Sequence, residues 1–194
     1  MVRGLSTNYI TPQPGQPTND SKTLLLLGGF DFQAEGVLRY SFLAGLEVRS
    51  FAAAQFGTTA SPSVASSIVW TPTGLTTITG ALSRVIESPQ TPGLSGYILT
   101  QGRVVVDHEL RRNVFLEGRG SAQFAQYLPN GTQTSFTLGG GVTWLLNRHV
   151  RLSADYDLTK QSAISNSTGT ANQITFVTGQ YTQNLAMITL HLAL

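Results

Sequence analysis

The sequence contains no cysteine, which excludes structural disulfides and thiolate metal sites. It also lacks any run of about eighteen apolar residues, and this excludes a transmembrane helix. The longest apolar block near the start, Leu24 to Leu27, is too short for the hydrophobic part of a signal peptide. Disulfide-stapled proteins and helical membrane proteins are therefore excluded as classes.

Charge is scarce as well, at 11% of the 194 residues against about 25% in an ordinary soluble domain. Mean hydropathy is nevertheless close to zero, at +0.03, because Thr, Ser, Gln, Asn and Gly stand in for the missing charges. This combination fits a membrane barrel, which is apolar outside and polar inside. The formal net charge of +2 is too small and too scattered to indicate a nucleic-acid partner.

Apolar and polar residues alternate over long stretches, most clearly over residues 136–158. From Phe136 to Leu146 every second residue is apolar or Gly, and after a break at residues 147–149 the alternation continues to Leu158. A period of two predicts β-strands, and two strands around a tight turn form a hairpin. Each strand runs past about ten residues, the length that a tilted strand needs to cross a bilayer.

Similar alternation along the chain predicts nine strands within residues 22–194, and the prolines before them indicate a loop or extended tail over residues 1–21. Tight turns are predicted near residues 34, 73, 111 and 148, with longer loops between them, among them residues 52–62 and 161–178. Alternating short and long connections are typical of outer-membrane barrels. The predicted fold class is all-β, an antiparallel up-and-down meander of about nine long strands that forms a transmembrane β-barrel or the C-terminal part of a larger one.

The odd strand number and the missing signal peptide lead to one further expectation. Bacterial single-chain barrels have an even number of strands and both termini on the periplasmic side. We therefore expect an N-terminally truncated chain, with a signal peptide and further alternating strands encoded upstream.

The polar face of the predicted strands carries charges of both signs. On a soluble sandwich they would form a solvated surface, whereas in a barrel they would line the lumen and pair between neighbouring strands or select solutes. Pairing is the favoured interpretation. The predicted lumen-lining residues are Arg39, Glu47, Arg49, Arg103, Glu117, Arg119, Arg151, Asp155 and Asp157.

Aromatic residues recur near the predicted strand ends, where amphipathic rings favour the membrane interface. Trp70 and Trp144 precede short turns, and Phe115 follows one. Phe124, Tyr127 and Phe136 lie toward the long loops. The predicted interface aromatics are therefore Trp70, Phe115, Phe124, Tyr127, Phe136 and Trp144.

Signals for a metal or a cofactor are weak. His108, His149 and His191 are all expected toward the turn end of the strands, but their spacing does not preorganise metal ligands. The glycines at 139–141 lack the Lys-Ser/Thr of a phosphate loop, and we interpret them as relieving crowding or letting strands bend. No metal and no cofactor are expected.

Asp155 and Asp157 share one face and could act as paired carboxylates. No histidine is expected at their depth in the barrel, so neither is assigned a catalytic role. The protein is predicted not to be an enzyme.

Three segments resemble a known family: WTPTGLTTITGALSRVIE (70–87), VDHELRRNVFLEGRG (106–120) and VTWLLNRHVRLSADYDLT (142–159). Together they are similar to the C-terminal half of the putative beta-barrel porin 2 family, and the resemblance covers about residues 22–194. It implies a barrel in the bacterial outer membrane and implies no catalytic residues. The chain ends in Leu194, where many outer-membrane barrels end in an aromatic residue.

The leading hypothesis is a porin-like outer-membrane barrel with a passive-diffusion or structural role, whose partners are membrane lipid and small polar solutes. One alternative is a barrel-borne outer-membrane enzyme that hydrolyses lipid or peptide. Another is a soluble all-β binding module, which the strand length and the polar partner face argue against.

Overall fold

The computed structural model describes residues 1–8, 20–53, 57–87, 96–128, 131–163 and 179–193. These residues form ten strands and no helix, so none of them belongs to a helix long and apolar enough to span a membrane. The strands are β1 (Val2–Thr7), β2 (Ser21–Ala34), β3 (Leu38–Phe51), β4 (Thr58–Thr73), β5 (Thr76–Glu87), β6 (Gly96–Arg111), β7 (Val114–Leu128), β8 (Thr132–Leu145), β9 (Val150–Gln161) and β10 (Tyr181–Leu192).

All ten strands belong to one antiparallel sheet in which spatial order follows chain order, from β1 at one edge to β10 at the other. The predicted all-β, up-and-down meander is thereby confirmed. In the described part of the chain no strand pairing joins β1 to β10, so the sheet is open.

The short connections lie where the alternation predicts them, at residues 35–37, 74–75, 112–113 and 146–149. In the first of them Glu35 and Gly36 have φ angles of 33° and 74°, in the left-handed region that glycine adopts at no steric cost. All four connections lie at the same end of the sheet, which we call the turn end. The opposite end, where residues 20, 51, 58 and 87 lie, is the loop end.

The first strand corrects the prediction of a tail over residues 1–21. Residues 2–7 pair with residues 21–26, while residues 9–19 lie outside the described residues. The described residues therefore form ten strands where nine were predicted, so an odd strand number does not support a truncated chain. Gly4, Ser6 and Thr7 conceal the apolar alternation here, so only pairing with β2 reveals the strand.

The start of β4 corrects the predicted loop over residues 52–62. The strand begins at Thr58, and Pro62 lies inside it opposite Leu46 of β3. Pairing with β5 begins only at Val64, so Pro62 stands beside an unpaired stretch of the strand. Proline is tolerated at such positions because no ladder hydrogen bond is lost there.

The pairing register divides every strand into two faces. Apart from the irregularities at the 74–75 and 112–113 turns, odd-numbered residues pair with odd-numbered ones and even with even. Even-numbered strand residues therefore share one side, the apolar face, and odd-numbered residues share the polar face. The apolar face exposes large side chains, among them Leu24, Phe30, Phe32, Leu46, Leu82, Val104, Leu138, Val142, Tyr156, Ile188 and Leu190.

The polar face is the concave one. A groove on this face is lined by residues from six successive strands, β5 to β10, so the sheet must curve around it. Most of the buried residues, including Ser21, Leu27, Phe51, Ser61 and Ser63, are also odd-numbered strand residues. The sheet thus turns its polar side inward and its apolar side outward, the reverse of a soluble domain.

Candidate functional site

The register places the predicted lumen-lining residues together on the polar face. They come from β3, β6, β7 and β9, so a single concave surface presents them all. That this surface lines a lumen stays a prediction. The residues are Arg39, Glu47, Arg49, Arg103, Glu117, Arg119, Arg151, Asp155 and Asp157.

The main cavity of this face is a groove of about 590 Å³ between β5 and β10. Half of its fourteen lining residues carry hydroxyl or amide side chains, and two arginines and one aspartate add charge. Such a lining can hydrogen-bond small polar solutes without demanding one particular shape. Its polar and charged members include Gln101, Arg103, Arg119, Gln123, Asp157 and Gln183.

Arg119 of β7 organises an ion cluster at one side of the groove. Its Nε and Nη2 atoms donate to the two carboxylate oxygens of Asp157, each at 2.8 Å. Its Nη1 atom donates to Oε1 of Glu117 at 2.9 Å and to Oδ1 of Asp155 at 3.3 Å. Bidentate arginine–carboxylate pairs are geometrically specific, so Arg119 is held in one orientation. We call these four residues the Arg119 cluster.

Two glycines of β8 allow the Arg119 cluster to form. Gly139 pairs with Arg119 on one side and with Asp157 on the other, although β7 and β9 lie roughly 10 Å apart. A Cβ atom on Gly139 would overlap the Asp157 carboxylate and lie 2.8 Å from Nε of Arg119. A Cβ on Gly141 would lie 2.5 Å from Oδ1 of Asp155. The glycines therefore leave room for side chains of β7 and β9 to meet above β8.

The charges of the groove are unevenly distributed. In the Arg119 cluster one guanidinium faces three carboxylates, so the cluster is formally negative. Arg103 lines the same groove, but its ladder neighbours are Ala81 and Ser121. Among the described residues the structure shows no ion pair for Arg103. The groove thus presents a negative side and a separate positive group.

A second ion pair on the polar face is buried at the loop end. The side chains of Arg49 and Glu47 are only 9% and 6% exposed, and they approach to 3.4 Å. Nη2 of Arg49 donates to the carbonyl of Ile86 at 2.7 Å, and the amide of Ile86 donates to Glu47 at 2.9 Å. Pairing between β4 and β5 stops at Val64 and Arg84, so these side chains satisfy backbone groups that have lost their strand partner.

A smaller cavity of about 260 Å³ at the turn end is lined by several acids, Asp107, Glu117 and Asp155 among them. No group of three His, Cys, Asp or Glu residues in the described ranges is arranged to hold a metal ion. His108 lies beside this cavity and makes a 2.9 Å hydrogen bond with Oγ1 of Thr76. Asp155 and Asp157 both accept hydrogen bonds from Arg119. Their carboxylates are therefore engaged in the ion cluster and do not form the catalytic pair considered for them.

The predicted interface aromatics divide between the two faces. Trp70, Phe124, Phe136 and Trp144 are exposed on the apolar face. Phe115 and Tyr127 are instead odd-numbered and lie on the polar face. Their distance from the turns predicts only the end of the strand, and the register reveals the face. That the six aromatic residues lie at a membrane interface stays a prediction.

Sequence reasoning also missed an aromatic cluster on the apolar face. The ring centroids of Phe30, Tyr40 and Phe42 are 5.9 to 6.5 Å apart, a separation typical of favourable aromatic pairs. Both Phe30 and Phe42 occupy even positions opposite each other across the β2–β3 hairpin. The register of this hairpin, set by the turn at 35–37, was the signal that could have revealed the cluster.

Comparison with known proteins connects this architecture to a family. Residues 6–181 match the family described as putative beta-barrel porin 2. Neither the curated proteins nor the solved structures contain a match to the chain.

Proposed function

The chain belongs to the putative beta-barrel porin 2 family, and on that premise we propose that it is an outer-membrane β-barrel protein through which small polar solutes diffuse passively. The observation that carries the proposal is the inversion of the two faces of the sheet. Large apolar side chains are exposed on the convex side, and ions and amides are gathered on the concave side. This arrangement suits a wall with hydrocarbon outside and water inside.

The length of the strands supports a membrane location. Strands β2 to β10 have 12 to 16 residues each. Since about 9 to 11 residues of a tilted strand cross the hydrocarbon core, each has enough length to cross with residues to spare. Trp70 and Trp144 lie on the apolar face beside the turn end, where a bilayer would place its interface.

The nature of the groove supports passage of solutes in preference to a catalytic role. Its lining offers hydroxyls, amides and a free guanidinium, which suit transient contacts with hydrated solutes. The candidate carboxylates Asp155 and Asp157 are bound by Arg119, and neither makes a hydrogen bond or ion pair with a described histidine. A barrel-borne hydrolase would need a carboxylate or a hydroxyl beside a base.

The direct test is conductance of the refolded full chain in a planar bilayer. Folding is first established by a heat-modifiable, β-rich species in detergent. We expect stepwise, ohmic conductance increases with the folded protein and none with the boiled protein. Folded protein that inserts into bilayers without conductance would contradict the passage of solutes while leaving the membrane location intact.

A further inference from the structure

Where the strand pairing is regular, the apolar face carries charge in three places. In those parts of the described strands, its only Lys, Arg, Asp or Glu side chains are Lys22 of β2, Arg84 of β5 and Lys160 of β9. All three are cations. The acids of the strands lie on the polar face instead: Asp31, Glu47, Glu87, Asp107, Glu109, Glu117, Asp155 and Asp157.

The three cations also lie at one end of the sheet. Lys22 is the second residue of β2, Lys160 is the last but one of β9, and Arg84 is three residues from the end of β5. These positions are all at the loop end. The turn end has charges of both signs, such as Glu35 and Arg148 in the turns. Arg111, which pairs with Val114 beyond the register irregularity of β6, adds a cation there.

Arg84 is the most structured of the three. Its Nη1 atom donates to Oγ1 of Thr100 at 2.8 Å, and Nη2 donates to Oε1 of Gln126 at 3.4 Å. These contacts hold the guanidinium flat across β6 and β7 on the apolar face. An arginine has five N–H donors, so donors remain for an additional acceptor.

A shallow groove of about 500 Å³ lies on the same face, toward the turn end from Arg84. It is shaped by glycines, since Gly80, Gly102 and Gly120 leave gaps between larger apolar side chains. Leu82 lies in the groove two residues before Arg84, about 7 Å along the strand. Its apolar walls are formed by Ile68, Leu82, Val104, Ala122, Phe136 and Leu138.

We propose that Arg84 forms a binding site for a phosphate-bearing lipid, whose headgroup contacts Arg84 while an acyl chain occupies the groove below it. Lys22 and Lys160, three and four strands away in the sheet, add positive charge at the same level. The proposal rests on the membrane location proposed above. Cations at this level would lie among headgroups, where anionic lipid attracts them. Contact with water would explain why charged side chains lie at this end of the apolar face. It would not explain why all three are cations, because carboxylates could contact water there equally well.

The test uses the full chain refolded into nanodiscs that contain equal amounts of phosphatidylglycerol and phosphatidylcholine. Protein released from the nanodiscs is examined by native mass spectrometry, and retained molecules of each lipid are counted. One variant carries Lys22→Gln, Arg84→Gln and Lys160→Gln. A matched control removes three cations from the polar face, with Arg39→Gln, Arg103→Gln and Arg151→Gln.

We expect the wild type and the polar-face control to retain phosphatidylglycerol in preference to phosphatidylcholine. Each cation near an anionic surface contributes about fivefold, so the apolar-face variant should lose about fivefold in preference at the Arg84 site. Lys22 and Lys160 lie roughly 14 and 19 Å across the sheet from Arg84, so their effects fall on other lipids. Retention without preference in the wild type, or an unchanged preference in the apolar-face variant, would overturn the lipid site. If that variant fails to fold, the single change Arg84→Gln replaces it, and the same outcomes apply.

Conductance is measured on the same samples, so the two proposals can fail separately. Silent channels with selective lipid retention would contradict solute passage and support the lipid site. Conducting channels that retain both lipids equally would support solute passage and contradict the lipid site.

Discussion

Two segments of the polar face share a local sequence and differ in their surroundings. Leu46-Glu47-Val48-Arg49 in β3 and Leu116-Glu117-Gly118-Arg119 in β7 both present a glutamate and an arginine two residues apart on one face. The first pair is almost fully buried and bonds to the backbone of Ile86. The second pair borders the groove, and its arginine gathers two further carboxylates.

The difference shows that what surrounds an ion pair decides its role. At the loop end the pair replaces a missing strand partner of β5, so its contribution is structural. Beside the groove the glycines at 139 and 141 admit charges from β9, so the cluster instead sets the electrostatic potential of the groove. A set of matched substitutions can test this contrast.

The largest effect is expected from Glu47→Ala. The change takes the Glu47 carboxylate away from the buried Arg49 and leaves the amide of Ile86 without its side-chain acceptor, so we expect a loss of about 3–5 kcal/mol in the free energy of unfolding. Urea unfolding of the protein refolded in lipid vesicles measures the loss.

The matched control for that change is Glu117→Ala. Because the Glu117 side chain is 41% exposed, we expect it to lose less than about 1 kcal/mol. Equal losses for the two variants would show that burial does not separate the two pairs.

An intermediate effect is expected from Gly139→Ala. The added Cβ would occupy the space of the Asp157 carboxylate and crowd Arg119, so the bidentate contact must open. Crowding of this kind costs about 1–3 kcal/mol, to be measured by the same urea titration.

Gly118→Ala is the control for this substitution, because a Cβ at Gly118 meets no atom within 4 Å. We expect a change within about 0.5 kcal/mol. A tolerant Gly139→Ala variant with an intact selectivity would refute the view that this glycine makes room for the ion cluster.

The smallest effect in free energy is a change in ion selectivity. Arg119→Gln removes the cation that balances Glu117, Asp155 and Asp157, so the groove becomes more negative and cation permeation rises. A unit charge at about 4 Å in water is worth about 1 kcal/mol, so the permeability ratio should change by roughly fivefold. Reversal potentials of single channels under a KCl gradient report it.

Arg49→Gln should leave this ratio near the wild-type value in channels that fold, because Arg49 lies outside the groove lining. Equal changes in the permeability ratio for Arg49→Gln and Arg119→Gln would contradict a functional difference between the two segments.

The sequence could predict much of the fold because a period of two is imposed by the pleated backbone itself. The turns and most of the strands follow from it, as does the side of the sheet on which Arg119 and Asp157 lie. The prediction was wrong where alternation is weak: small and polar residues conceal β1, and Pro62 conceals the first half of β4. Local pattern cannot reveal a strand that exists only because a neighbour pairs with it.

The site was less predictable than the fold. Glu47 and Arg49 were recognised as polar-face residues, but nothing near them in the chain indicates Ile86, which lies 37 residues beyond Arg49. The sequence pattern places Phe115 and Tyr127 near the two ends of β7 but gives them no face, and the register puts both on the polar face. The sequence indicates that the glycines at 139 and 141 relieve crowding or let strands bend. It does not indicate which charged side chains occupy the space that they leave.

By itself, the sequence determined that this chain forms long antiparallel strands with one apolar and one polar face, because side-chain alternation is a property of each strand alone. The tertiary structure decided which charges meet. Cross-strand register brings Arg119, Asp155 and Asp157 together above glycines, and the end of the β4–β5 pairing buries Glu47 and Arg49 against Ile86. These contacts depend on the relative positions of three or more strands, which no single stretch of the chain encodes.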